Sequence, residues 1–396
     1  MRFGILRKVF LTFFILSIVP TSILSIYALK QINDSGISTL KISRNTIISN
    51  SMPLLEVQAK SIAKDIEQLL QKSIDDLNFL ATLPQNRTIH KKFYRNNKGR
   101  IWIREGKEDE YVEISKKVPF YSEVTFANKD GILVIFNGKK RRKNRDISKS
   151  FRSNYGVENY FKNALSLKGK IYVGRVTGFH VAKNKQLNGA SNVEKAIGGS
   201  RFNGIIRFSK AIYRRGEVYG VLSIALDHRH LMELTQHVLP LNIEDVVFPK
   251  YNGGNYAFSV DDEGWIITHP RFWYIRGADS KTGELFNSWS ETFNEDKLNK
   301  GIIPFNLIQS LTDYTSTVKN LLENQSGVTQ IEKDGNLKLI AYSPIKFSAG
   351  IYNKKNCFGG VILEVNSETY KKALGEIVKG NKSSVCPTCH LKVMGN

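Results

Sequence analysis

The 396 residues contain no glycine-rich phosphate loop, no nucleophile elbow and no kinase, cyclase or methyl-accepting region. Nothing in them recommends catalysis, so the chain is read as a binding protein and not an enzyme. Acidic residues are few, 36 against 58 Lys and Arg, which leaves a formal charge of +22. Such an excess attracts polyanions in general, but it speaks to association and solubility rather than to fold. The one dense basic run, Lys139 to Lys143, has no aromatic residue between its charges. It reads as an exposed loop, and nucleic acid is not expected as a partner. Cysteine is rarer still, three residues in all.

What is present begins with ordinary globular content, 41% hydrophobic and 11% aromatic residues. That is enough for a long anchor and two modules of roughly 100–150 residues, each large enough to bury a core. Arg2, Arg7 and Lys8 precede an uncharged apolar run, Val9 to Leu29, long enough to cross a bilayer core of about 30 Å as a helix. Positive charge ahead of the run keeps the N-terminus cytoplasmic. A cleaved signal peptide is the competing reading, but Ile26 and Tyr27 before Ala28 fit a small-x-small cleavage site poorly. No other stretch approaches the length of a second span.

From Gln31 to Leu83, Ile47, Leu54, Leu55, Ile62, Ile66, Leu69, Leu70, Ile74, Leu77 and Leu80 recur at three- and four-residue steps. This predicts a stalk helix on the order of 75 Å, with Gly36 and Pro53 as points of interruption and Pro84 as its close. The sequence then says nearly the same thing twice. Phe126 to Ile135 and Phe258 to Ile267 each read as strand, acidic-glycine turn, strand. Each copy closes with a further hairpin whose last strand carries Gly220-Val-Leu-Ser-Ile or Gly360-Val-Ile-Leu-Glu, followed by a helix from Asp227 or Ser367. An antiparallel sheet of this kind has a face to cover, and a pocket is expected between that face and the helical insert.

The expected fold class is therefore α+β: an N-terminal transmembrane helix continuing into a stalk, then two tandem PAS-like antiparallel-sheet modules. The boundaries are 1–30 for the cytoplasmic tip and anchor, 31–84 for the stalk, 85–245 and 246–378 for the modules, and 379–396 for a tail. This arrangement resembles the double Cache family of bacterial extracellular sensors, over about residues 10–378. Glu158-Asn-Tyr-Phe-Lys-Asn-Ala164 followed by Gly169-Lys-Ile-Tyr-Val173 is similar to the family's R-x-Y-F-x-x-A…G-x-x-Y segment, with Glu158 where the family usually has Arg. The resemblance implies a membrane-distal pocket for a small ligand, in which a carboxylate ending the last distal strand contacts it. Asp227 holds that position. The arginine region clamps a carboxylate in relatives that bind amino acids, so with Glu158 there the resemblance does not by itself imply an ordinary amino acid as ligand.

Residue by residue, the distal candidates are Tyr155, Tyr160, Tyr172, Arg175, Arg207 and Asp227, aromatic walls plus charged groups of the sort that orient a small polar solute. Asp227 also suits a helix cap, and both roles can hold together. A second set, Asp262, Trp265, His269, Trp273 and Arg276, is equally polar and aromatic. His230, Glu233 and His237 share a helix face, but without a further strong ligand no metal is expected there. Cys357 is expected as a buried small hydrophobe. Cys386-Pro-Thr-Cys389-His390 matches the covalent haem c attachment pattern, while a disulfide or half a zinc knuckle explains the pair as well. No cofactor is required by the rest of the chain.

The expected function is extracytoplasmic small-molecule sensing, as input to signal transduction or chemotaxis. Arg175, Arg207 and Arg276 point to an anionic or zwitterionic ligand. The expected location is the bacterial cytoplasmic membrane, single-pass with the bulk periplasmic, as a homodimer through the stalk and with a separate signalling partner as an option. A membrane-tethered c-type haem protein or redox sensor is the alternative.

Overall fold

The computed structural model describes residues 2–107, 110–138, 145–240, 247–248, 254–286, 315–333 and 336–366. The basic run Lys139 to Lys143, the expected module boundary at 245/246, the helix expected from Ser367 and the Cys386/Cys389/His390 motif lie outside the described residues. Two compact units are present, Met1–Pro53 and Leu54–Asn396. Helix α1 (Arg2–Thr82) runs unbroken through Gly36 and Pro53. A proline removes one helical hydrogen bond, and a helix tolerates that when the turns on either side are satisfied.

In the first unit Phe13, Phe14, Leu24, Ile26 and Tyr27 are exposed along the helix. Among the described residues no helix is long and apolar enough to cross a membrane. Most side chains of Val9–Leu29 lie outside them.

In the second unit the apolar stripe of α1 is core. Leu55, Ala59, Ile62, Ile66, Leu70, Leu77 and Leu80 are buried. A stripe already covered by its own chain is not free to pair two stalks, which alters the expected dimer seam. Leu54, Val57 and Phe79 are the large apolar side chains that α1 leaves exposed there. Its polar edges are pinned as well. Asp76 accepts the Tyr121 hydroxyl at 2.5 Å, Asn78 accepts Lys210 Nζ, and Glu67 accepts the Lys346 backbone N–H.

After a short α2 (Arg87–Asn96) comes a hairpin of β1 (Lys98–Lys107) and β2 (Glu110–Pro119). Sequence reading did not separate this element. Ile101 is its one fully buried side chain, so there is no period-two apolar pattern to see. The distal sheet then contains β3 (Tyr121–Asn128) and β4 (Leu133–Gly138). The insert supplies β5 (Phe151–Arg152), β6 (Val157–Glu158), α3 (Tyr160–Ser166), β7 (Ile171–Val173), β8 (Thr177–Gly178) and α4 (Lys183–Leu187). Finally β9 (Gly204–Arg214) and β10 (Glu217–Asp227) close the sheet, and α5 (His228–Met232) follows. Strand order is β4-β3-β10-β9-β7, with β8 on β9.

The second module repeats this order. Strands β11 (Tyr256–Asp261), β12 (Ile266–Thr268), β13 (Gly327–Lys333), β14 (Asn336–Lys346) and β15 (Cys357–Asn366) pair as β12-β11-β15-β14-β13, with α6 (Thr315–Leu322) packed on β14 and β15. First hairpin, insert, last hairpin, with the last strand paired to the first strand of the first hairpin, is the same plan twice. Cys357 begins β15, buried, as expected.

The glycine in each last strand permits a close approach, of the strand β3 at Gly220 and of Leu321 in α6 at Gly360. A Cβ on Gly220 would strike the Ala127 carbonyl and the Phe126 ring, at a register shift between Val218 and Gly220. Gly220→Ala is expected to lower stability by about 1–3 kcal/mol, read as a fall in Tm. An unchanged Tm would mean that the two strands can separate at no cost.

Candidate functional site

Antiparallel register places alternate residues of three strands in rows on one face of the distal sheet. Ala127, Val221 and Ala211 form the first row, and Thr125, Ser223 and Ser209 the second. Glu123, Ala225 and Arg207 form the third, and Asp227 lies beside Ile205 at the end. The face thus grades from apolar to hydroxyl to charged. Tyr160, Phe161, Ala164 and Ile147 cover the apolar end. Tyr155 packs on Ile205 and Ala225 at the charged end.

The charged row is closed on itself. Arg207, 3% exposed, donates from Nε and Nη2 to Glu158 at 2.7 and 2.9 Å, and from Nη2 to Glu123 at 2.9 Å. Its guanidinium also lies 4.6 Å from the centre of the Tyr160 ring. Burial alone would lower the Arg207 pKa, but Glu158 and Glu123 more than offset it and hold it well above the ordinary value. Glu158 therefore stands not in place of an arginine but opposite one. Of Arg207, only Nη1 has no hydrogen-bond partner.

Asp227 ends β10 and caps α5. Its Oδ1 accepts the Arg229 backbone N–H and Arg229 Nε, both at 3.0 Å, and its Oδ2 accepts Arg229 Nη2 at 2.7 Å and the Ser122 hydroxyl at 3.0 Å. Burial pushes this carboxyl up, and the bonds and charge of Arg229 bring it below the usual range. Tyr155 is pushed up to about 12, first by burial and then by the Glu123 charge, so its hydroxyl is a neutral donor. Tyr160 is likewise raised by burial to about 12. Tyr172 is half-buried beside the apolar cluster.

Arg175 is elsewhere. It crosses to the second module and meets Asp261 at 3.1 Å, Asp262 at 2.7 Å and Glu263 at 2.6 Å, in the turn between β11 and β12. Arg276 stands 3.8 Å from Asp261 and 3.6 Å from Glu263, 4.3 Å over the Trp265 ring. Lys355 approaches Asp262 at 3.6 Å. His269 is buried among Tyr256, Phe258 and Tyr274, and Lys183 of α4 lies over Trp273. The second set of candidates is thus largely the seam between modules and the core beneath it. All three arginines expected to hold an anion are engaged by carboxylates of the chain itself.

The same seam touches both walls of the distal cluster. His228, next to Asp227, contacts the Ile267 carbonyl through Nε2 at 2.6 Å, and burial lowers its pKa to about 4. On the Tyr155 side, Val157 N–H donates to the Gly283 carbonyl and Arg152 donates to the Ser280 and Lys281 carbonyls. Chain separations of 39 to 129 residues kept these pairings out of any local pattern. Among the described residues no group of three or more His, Cys, Asp or Glu is arranged for a metal. His230 contacts the Pro119 carbonyl and stacks on Phe120, while His237 pairs with Glu233 at 2.9 Å.

The repeated sheet order and the distal cluster define a tandem sensor fold. The dCache_1 family model, a Cache domain, matches residues 39–368, and the chain belongs to this family. Solved structures similar to it include a domain of a sensory box/GGDEF family protein from Vibrio parahaemolyticus, at 15% identity and a TM-score of 0.49 over 82% of this chain and 99% of that one. The ligand-binding domain of the Pseudomonas aeruginosa amino acid chemoreceptor PctC, in complex with GABA, matches at 14% identity and 0.42, covering 80% and 99%. That of the Pseudomonas fluorescens chemoreceptor CtaA, with L-isoleucine, matches at 14% and 0.43, covering 84% and 98%. No curated protein matches.

Proposed function

We propose that this protein is the extracytoplasmic sensor of a single-pass membrane receptor, and that it binds a small polar solute at the Asp227 end of the distal sheet. One observation carries the reading. The face that gathers Asp227, Glu123, Arg207 and Tyr155 is bounded by two segments, the Tyr155 turn and the Asp227–His228 corner, which both hydrogen-bond the second module. A ligand that shifts either wall shifts the module beneath. The chemoreceptor domains named above bind amino acids or GABA, as their own structures show.

Because Arg175, Arg207 and Arg276 are already matched by carboxylates, the chemistry favours a solute with a positive group over a simple anion. A zwitterion remains within that class. The uncharged Val9–Leu29 run, with exposed Phe13, Phe14, Leu24 and Ile26 on its helix, supports anchoring in the membrane. Output through a partner, and dimerisation by the surface of α1 that the modules leave open, complete the reading.

The test is a thermal-shift screen of the full chain in detergent against amino acids, carboxylates and amines. A ligand at one hundred times its dissociation constant adds about 2.7 kcal/mol. Asp227→Asn, which keeps a capping side chain, is expected to abolish the shift while leaving the unliganded melt close to that of the parent. A shift that survives in this variant removes the assigned site.

A further inference from the structure

The Asp227 carboxylate already holds a cation. Arg229 reaches back two residues and presents Nε and Nη2 side-on to both oxygens, the two-point geometry that a guanidinium or primary amine ligand would use. Asp227 is 2% exposed, whereas the Arg229 side chain is 24% exposed and borders a cavity of about 240 Å³. Ile101 and Ile103 of β1, with Phe248 and Phe272, line the apolar part of that cavity. Arg229 therefore stands between an open space and a buried carboxylate. Glu233, one helical turn further on, already acts on the Arg229 charge, while its own oxygens hold the Trp102 N–H, Gln236 and His237.

Charge decides what kind of molecule can take its place. Around the site Glu123, Glu158 and Asp227 face Arg207 and Arg229, three carboxylates against two guanidiniums, one net negative charge. With Arg229 withdrawn the deficit becomes two. On the sheet face itself the neighbouring titratable groups do not cancel it, while the cavity wall adds Arg104, paired with Glu113, and Arg201 against Glu105. Tyr155 and Tyr160 are neutral donors, and burial, the largest influence on His230, lowers its pKa. Arg207 Nη1 is buried and without a hydrogen-bond partner, so its N–H groups can serve an acceptor on the ligand. Its other two nitrogens are held by Glu158 and Glu123, so no two-point carboxylate clamp exists here.

We propose that Arg229 is an internal stand-in for the ligand, and that a small amine or guanidinium compound lacking a carboxylate displaces it from Asp227 through the cavity that it borders. This rests on the reading of Asp227 as the ligand contact and adds the ligand class and the resting-state competitor. Release of Arg229 toward Glu233 disturbs the carboxylate that accepts the Trp102 backbone N–H of β1, and Arg229 adjoins His228 on the module seam. Displacement is thereby linked to both neighbouring elements.

Agmatine and L-arginine differ only by the carboxylate and serve as probes, by calorimetry on the full chain in detergent, with L-norvaline and succinate as comparators. Agmatine is expected to bind at least about tenfold more tightly than L-arginine, and the comparators not to bind. If the Arg229 latch is closed about nine-tenths of the time, Arg229→Ala and Arg229→Gln each tighten agmatine binding about tenfold. L-arginine equal to or tighter than agmatine, weaker agmatine binding in both variants, or no agmatine binding by any form overturns the proposal. Binding of L-norvaline that is lost in Asp227→Asn would overturn the ligand class and leave the site standing. Agmatine binding that is unchanged in Asp227→Asn would remove the site itself.

Discussion

Arg207→Ala is expected to destabilise the protein by about 3–5 kcal/mol, because it leaves two buried carboxylates without their shared counter-charge. Glu123 and Glu158 have side chains 8% and 7% exposed and meet Arg207 at 2.9 and 2.7 Å. Little solvent is available to replace the guanidinium. The expected reading is a fall in Tm on the order of 10 °C. The cost comes from orphaned charge rather than from lost packing, and a second variant separates the two. Arg207→Met combined with Glu158→Gln removes one charge of each sign, and is expected to recover about half of the loss, the rest being the cost of Glu123 left without its guanidinium. An Arg207→Ala protein that melts like the parent would show that water reaches the charged row. The distal face would then be an open polar surface rather than a closed cluster.

The tandem plan was legible in the sequence because each copy carries two local signals, an acidic-glycine hairpin and a glycine in the last strand, and local signals survive without knowledge of the fold. Asp227 was legible for the same reason, at a strand-to-helix corner. The partners of the arginines were not. Arg207 meets Glu158 across 49 residues and Glu123 across 84, and both contacts depend on strand register. One clue was present: Glu158 breaks the family's arginine pattern, and a buried sign change invites a compensating cation such as Arg207 on the facing strand. Arg175 is harder still, since its partners belong to the other module. In the second module Trp265 to His269 are all buried, so both faces of that hairpin are covered and alternation could not sort core from site. The expectation of an anionic or zwitterionic ligand rests on Arg175, Arg207 and Arg276, whose carboxylate partners only the fold brings to them.

The seam that Arg175 enters is expected to respond to pH through Asp261. Burial raises this carboxyl from 3.8 to about 6, and Arg175, backbone hydrogen bonds and Arg276 offset only part of the effect. The folded chain therefore binds this proton more tightly than the unfolded one. Below about pH 4 the group is protonated in both states and its contribution is fully present. As the pH rises through about 6 that contribution is lost, by about 3 kcal/mol in all. Buried His90 and His228, both lowered to about 4 chiefly by burial, act the other way and favour the folded state above pH 6.5. A single melting curve mixes the two, so the expected result concerns a difference. Asp261→Asn imitates the protonated carboxyl, and its stability relative to the parent should rise between pH 5 and pH 7. Arg175→Ala removes the strongest charge holding the Asp261 pKa down, so in that variant the loss should still begin near pH 4 but extend to higher pH and be larger in total. An Asp261→Asn difference that stays flat with pH would mean that Arg175 and Arg276 compensate the buried charge completely, and the seam would then be a fixed joint rather than one that tightens on acidification.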